Sequence, residues 1–285
     1  CLFGYIGMKA SNAKNWMLLE VIILIVSVLT AYLISIRDGS VGTDTFRYIR
    51  FFYEITGGYV RRIDDPLFVL IANISAQIDG TEKTFFFATS LIAILASILF
   101  FITSSREINE GGKGLAVAML AIAILPFWKF FTELHINIIR SALTIPFVWF
   151  SFWFIYQRKF LLGIIFFLIG LGFHSASLFF LIGVPLLFLH ARTVISIILI
   201  LSLFYAVGFW EYFFRDLVSE SFVSMILGDY SNYYTRTDVN YDAGVRLDFL
   251  LFSMSFFIFF YSRESGFTKS PPIFYVYSSL LIPFL

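Results

Sequence analysis

The 285-residue chain contains a single cysteine, Cys1, which excludes an internal disulfide framework and a cysteine-built metal site. Histidine is nearly as scarce. His135, His174 and His190 are the only three, and no carboxylates stand at ligand-like spacing around them, so we expect no histidine metal centre and no cofactor. Charged residues make up 14% of the chain and balance to a formal net charge of +1, which points to no nucleic-acid partner. A signal-peptide pattern of basic flank, short apolar run and small-residue cleavage site is also missing. Insertion into a membrane would then rest on the helices themselves.

What the chain has in excess is apolar surface. At 59% apolar residues and a mean hydropathy of +0.87, it is too oily for a soluble globule of this length and reads as a polytopic membrane protein. The 38 phenylalanines and 15 tyrosines suit a helical bundle with lipid-facing and interfacial rings, and by themselves say nothing of function. The chain opens in mid-pattern at Cys1 and stops at Ile282-Pro283-Phe284-Leu285 inside another apolar run. We therefore expect a single integral membrane domain over residues 1–285, cut at both ends from something longer.

Spans of about 20 apolar residues can be drawn at Trp16 to Ile36, Thr84 to Thr103, Gly114 to Phe131, Ile136 to Tyr156, Phe160 to Phe173, Ser177 to Leu189, Thr193 to Trp210, Asp248 to Tyr261, and from Pro272 onward. The fold class expected is all-α, a polytopic transmembrane helical bundle with about nine crossing segments. Pro66 to Ile78 is too short to cross and is assigned to an interfacial or re-entrant helix. Phe160 to Leu189 is too long for one crossing, and Gly170, Gly172, His174, Ser175 and Ser177 are expected to break it into a hairpin of short helices meeting at His174. With Lys9 and Lys14 inside, every short loop on that side is basic, as the positive-inside rule expects. Two long polar segments, residues 37–65 and 211–247, then fall outside. They carry many arginines matched by carboxylates such as Asp38, Asp44, Asp64 and Asp65, for which solvated ion pairs are the plainer reading.

An ionisable group inside an apolar segment usually lines a cavity or pairs with something. Arg140 and His174 are such groups. Glu133, Asn137, Arg140 and Thr144 fall on one helical stripe that would face a cavity, with an interhelical hydrogen-bond lock in which Glu133 neutralises Arg140 as the plainer alternative. Arginine suits a phosphate because its planar fork donates parallel hydrogen bonds and stays charged. His174 reads either as an imidazole beside a phosphate or as a histidine satisfied at a helix break. In residues 41–50, Gly42 and the Thr43/Asp44 pair suit a helix cap. There Phe46, Ile49 and Tyr53 recur at helical spacing, so the segment is either a capped surface helix or a lid whose Arg47 and Asp44 reach the cavity. Tyr233, Tyr234, Arg236 and Arg246 stand in an aromatic, charged outer loop that could bind sugars or form an interfacial belt.

The order of these features resembles the EpsG family of Wzy-type bacterial polysaccharide polymerases. It runs from the Arg37 loop with Gly42-Thr43-Asp44 and Tyr48, through Asn137-x-x-Arg140 and Phe173-His174-Ser175-Ala176, to a tyrosine-rich outer loop. The family commonly has Asn-x-x-Arg-Gln, where this chain has Ser141. The resemblance implies a bundle related to GT-C glycosyltransferases, acting on the outer face of the bacterial plasma membrane. It would transfer a growing glycan from undecaprenyl diphosphate to a second lipid-linked repeat unit, among membrane lipids and other polysaccharide assembly proteins. Arg140 would stabilise the leaving diphosphate, with Arg37, Arg47 and Asn137 assisting. His174 would donate to the diphosphate or accept the hydroxyl proton, with Asp44 as the alternative base, and Tyr233, Tyr234, Arg236 and Arg246 would hold substrate. A glycan ligase with a different acceptor, and a lipid-linked oligosaccharide flippase, are the competing readings; a purely structural subunit would leave the polar stripe from Glu133 to Thr144 without a purpose.

Overall fold

The computed structural model describes residues 13–42, 44–59, 65–107 and 135–206. Among these the chain is all-α: α1 (Ala13–Ser35), α2 (Thr45–Thr56), α3 (Pro66–Ile78), α4 (Glu82–Glu107), α5 (Ile139–Tyr156), α6 (Phe160–Phe173), a 3-10 helix (Ser175–Phe188) and α7 (Ala191–Ala206). The expected segments at Glu133, Gly114 to Phe131, Asp248 to Tyr261 and beyond Pro272 lie outside the described residues.

By its contacts the chain divides between Leu181 and Ile182. In the first unit α4 packs against α1, α2, α3 and α5, while α6 lies along α5 and touches α3. Phenylalanine builds the joints. Phe68 of α3 meets Phe85 of α4 at 5.1 Å between ring centroids, Phe52 of α2 stacks on Phe85 at 5.5 Å, and Phe100 of α4 meets Trp149 and Phe150 of α5, each at 5.3 Å. Such pairs bury large apolar area in a defined geometry. In the second unit, Val194 and Ile198 of α7 are fully buried, whereas Leu199 and Leu203 are exposed.

Local chemistry sets the ends of these helices. Pro66 occupies the first position of α3, where its fixed φ suits the helix and its missing N–H costs nothing. After α3 the Asp79 carboxylate accepts hydrogen bonds from Thr81 N at 2.9 Å, Thr81 Oγ1 at 2.8 Å and Thr84 Oγ1 at 2.6 Å, which starts α4. The α5–α6 turn closes with Arg158 at φ 64°, and Lys159 N donates to Phe154 O at 2.9 Å, the wrap-around ending usually given to glycine.

Three expectations are corrected. Gly170 and Gly172 do not break α6 but lie within it. A Cβ on Gly163 would stand 3.1 Å from Ser151 O and one on Gly170 would stand 3.5 Å from Thr144 O, so these glycines let α6 approach the α5 backbone. The helical path ends instead at His174, which is extended at φ −158° and ψ 116°. In α2 the buried face is Thr45, Tyr48, Phe52 and Ile55, while Phe46 and Tyr53 are exposed. The core beneath selects that face; periodicity alone allowed either. The helix expected from Ile136 is interrupted rather than continuous: residues 135–137 are helical, Ile138 breaks the path at φ −129° and ψ 54°, and α5 starts at Ile139.

Replacing Gly163 with leucine should force α6 off α5. We expect a loss of about 1–3 kcal/mol, read as a lower melting midpoint in detergent.

By length and composition, Glu82–Ser104 and Ile139–Tyr156 are the two described helices able to cross a membrane; Val21–Ser35, Phe160–Phe173, Ser175–Phe188 and Thr193–Phe204 are apolar but shorter. Leu24 and Leu33 of α1 and Leu161 and Leu168 of α6 are exposed. Lipid-facing surface has that composition.

Candidate functional site

The core cluster of α2, α3, α4, the start of α5 and the end of α6 supports a polar group formed where several elements begin. Asp65, the residue before α3, is its centre. Its side chain does not cap its own helix. Instead Oδ2 accepts a hydrogen bond from Arg140 Nη1 at 2.7 Å and Oδ1 accepts one from Ser175 N at 2.8 Å, while His174 Nδ1 stands 3.8 Å from Oδ2. One carboxylate thus joins the starts of α3, α5 and the 3-10 helix.

Helix starts carry partial positive charge, and the Arg140 guanidinium adds a full one, so the cluster favours anions. Asp65 offsets part of that charge and fixes the positions. Its side chain is only 4% exposed, Arg140 31% and His174 13%, so the carboxylate forms the floor and the arginine and imidazole reach the surface. Asp65 lies outside the two long apolar helices. Burial opposes its ionisation, yet the His174 ring, the Arg140 guanidinium and the Ser175 N–H together hold its carboxyl below the usual carboxylate range. Tyr48 of α2 completes the floor; burial raises its phenol, and the Arg140 charge beside it acts in the opposite sense.

Arg37, expected to assist at the substrate, sits beside this group as a clamp. Its Nε donates to Thr45 Oγ1 at 3.1 Å, Nη1 to Ile34 O at 3.0 Å and Nη2 to Ile136 O at 3.4 Å, and the guanidinium lies 4.0 Å over the Phe86 ring. It joins the end of α1, the start of α2 and the short helical stretch 135–137 ahead of α5. Burial pushes Arg37 down from its ordinary value to about 10, which leaves it cationic at neutral pH. Gly42, at φ +87°, lets the loop close on that stretch, because a Cβ there would strike Asn137 Oδ1 and Ile136 Cγ2.

The expected polar stripe does not survive as one surface. Non-helical Ile138 separates Asn137 from Arg140, and Thr144, 1% exposed, turns away to donate to Gly170 O at 3.0 Å. Asp44 and Arg47 pair with each other at 3.3 Å on the outer face of α2, with the Arg47 side chain 69% exposed. Tyr233, Tyr234, Arg236 and Arg246 lie outside the described residues. Among the described residues no group of three or more His, Cys, Asp or Glu could hold a metal ion.

Sequence reasoning missed Asp65, which it had counted among solvated outer-loop carboxylates. An aspartate directly before Pro66 signals a helix start. That signal accounts for the position and not for the partners, which arrive from residues 75 and 110 positions away.

Fold and site together define an all-α protein with membrane-length apolar helices and an arginine–carboxylate–imidazole group set among helix starts. The EpsG family profile matches residues 20–285, and the chain belongs to that family, which is linked to polysaccharide biosynthesis. No curated protein and no solved structure matches it.

Proposed function

We propose that the protein is a Wzy-type membrane polysaccharide polymerase, a glycosyltransferase that moves a growing glycan from undecaprenyl diphosphate to a second lipid-linked repeat unit on the outer face of the plasma membrane. The observation that carries this reading is Arg140, aimed by a buried carboxylate, among converging helix starts beside His174. A diphosphate leaving group develops charge as its bond to the anomeric carbon breaks, and a fixed guanidinium with helix dipoles stabilises such charge without reorganising. In the full bundle of about nine crossings, the exposed apolar faces of α1 and α6 would meet lipid, which also delivers both substrates to one site. Tyr233, Tyr234, Arg236 and Arg246 would hold the sugars from the outer loop.

Membranes holding the protein, supplied with an undecaprenyl-diphosphate-linked repeat unit, should yield a ladder of longer lipid-linked glycans on a gel. Arg140→Ala at equal abundance should yield none. A single transfer to another acceptor, with no ladder, would indicate a ligase; normal ladders from the variant would remove Arg140 from the site.

A further inference from the structure

Resting on that reading, we infer that Asp65 is a positioning residue that holds the His174 proton on Nδ1 and so makes Nε2 the base for the acceptor hydroxyl. Two candidate bases were open from sequence. Asp44 is committed to Arg47 on the exposed side of α2, whereas His174 has its Nδ1 edge toward Asp65 at 3.8 Å. An anionic carboxylate facing Nδ1 favours a proton there, and an imidazole with N–H at Nδ1 keeps its lone pair on Nε2, across the ring. At 3.8 Å the two atoms face each other without a hydrogen bond, and catalytic hydrogen bonds are often long before substrate is bound and tighten with it.

The surroundings keep Asp65 from turning away. Oδ1 is engaged by Ser175 N at 2.8 Å, and Ser175 directly follows His174, so the backbone that carries the imidazole is tied to the carboxylate that orients it. His174 N in turn donates to Gly170 O at 3.1 Å, which anchors the residue at the end of α6. Arg140 holds the other oxygen. One carboxylate thereby sets the leaving-group cation and the base in a fixed relation.

In the step this arrangement serves, the acceptor O–H gives its proton to Nε2 and the oxygen bonds to the anomeric carbon. The bond from that carbon to the diphosphate oxygen breaks, and its electron pair departs with the lipid diphosphate beside Arg140. The resulting imidazolium carries its charge next to the Asp65 carboxylate.

Asp65→Asn inverts the tautomer. With its carbonyl accepting from Ser175, the amide nitrogen takes the place of Oδ2, where it can donate to Nδ1 and drive the proton to Nε2 only as Arg140 Nη1, 2.7 Å from Oδ2 in the wild type, moves off. The tautomer, and not the ladder alone, therefore reads the role of Asp65. The corresponding change in a Ser-His-Asp triad costs about 10⁴ in rate, and we expect a drop of roughly 10³ to 10⁴ here.

The test is ¹⁵N NMR of the full chain, histidine-labelled and in bilayers, with the His174 signal assigned by its loss in His174→Gln, alongside the glycan ladder. The expected result is a proton on Nδ1 in wild type, on Nε2 in Asp65→Asn with the ladder lost, and partial recovery of both in Asp65→Glu. A wild-type proton on Nε2, or an Asp65→Asn variant that extends glycan at the normal rate, overturns the assignment. If the Asn variant does not fold, the wild-type tautomer decides alone. A wild type with the proton on Nδ1 and no ladder would retire the polymerase reading while sustaining the control of His174 by Asp65.

Discussion

Removing Arg140 should destabilise the protein more than removing Arg140 and the Asp65 charge together. The Asp65 side chain is 4% exposed and its Oδ2 meets Arg140 Nη1 at 2.7 Å, so Arg140→Ala strands an anion at the floor of the site. Breaking a buried pair from one side costs roughly 3–5 kcal/mol, most of it the desolvated partner. Because the Arg140 side chain is 31% exposed and water can reach the gap, we expect the lower part of that range. Adding Asp65→Asn should recover much of the melting midpoint, since a neutral amide tolerates the floor without a cation.

Activity should behave differently: both the single and the double variant should lack ladder formation, because the leaving-group cation is absent from each. A double variant as unstable as Arg140→Ala would mean that the pair is not what holds the cluster. pH supplies an independent reading. The Asp65 carboxyl is held below its usual value of 3.8, so its contribution to stability is present at neutral pH and is lost as pH falls through that lowered value. The difference between wild type and the double variant should therefore shrink in acid.

The second large effect is expected at a residue that touches no substrate. Gly42→Ala forces a side chain into φ +87° and drives its Cβ into Asn137 and Ile136, immediately ahead of the helix that carries Arg140. Left-handed backbone costs an L-residue roughly 1–2 kcal/mol and overpacking a further 1–3 or so, which together give about 2–5 kcal/mol. The strain has a direct route to the site, because Arg37 bonds both Thr45 Oγ1 and Ile136 O across the same seam. We expect a lower melting midpoint and a weakened ladder. Gly58→Ala is the matched control: φ is +75° there, but a Cβ meets nothing within 4 Å, so only the backbone term remains. Equal losses at the two glycines would show that contact with residues 136–137 is unimportant.

Composition and periodicity determined the all-α class, the bounds of the short helix Pro66–Ile78 and of α6, and the two residues, Arg140 and His174, around which the candidate site is built. Those features are local. A run of apolar residues must satisfy its own backbone as helix, and a lone arginine or histidine in such a run stands out by its desolvation cost. Tertiary structure alone decided which carboxylate Arg140 meets, which face of α2 is buried and that Arg37 is a clamp. It also decided that the glycines of α6 serve close packing. Each of those outcomes depends on groups distant in the chain. In the sequence Asp65 was one of several carboxylates set against the arginines of its own polar segment, and Glu133 was the partner offered for Arg140, until the starts of α3, α5 and the 3-10 helix were brought to a single point.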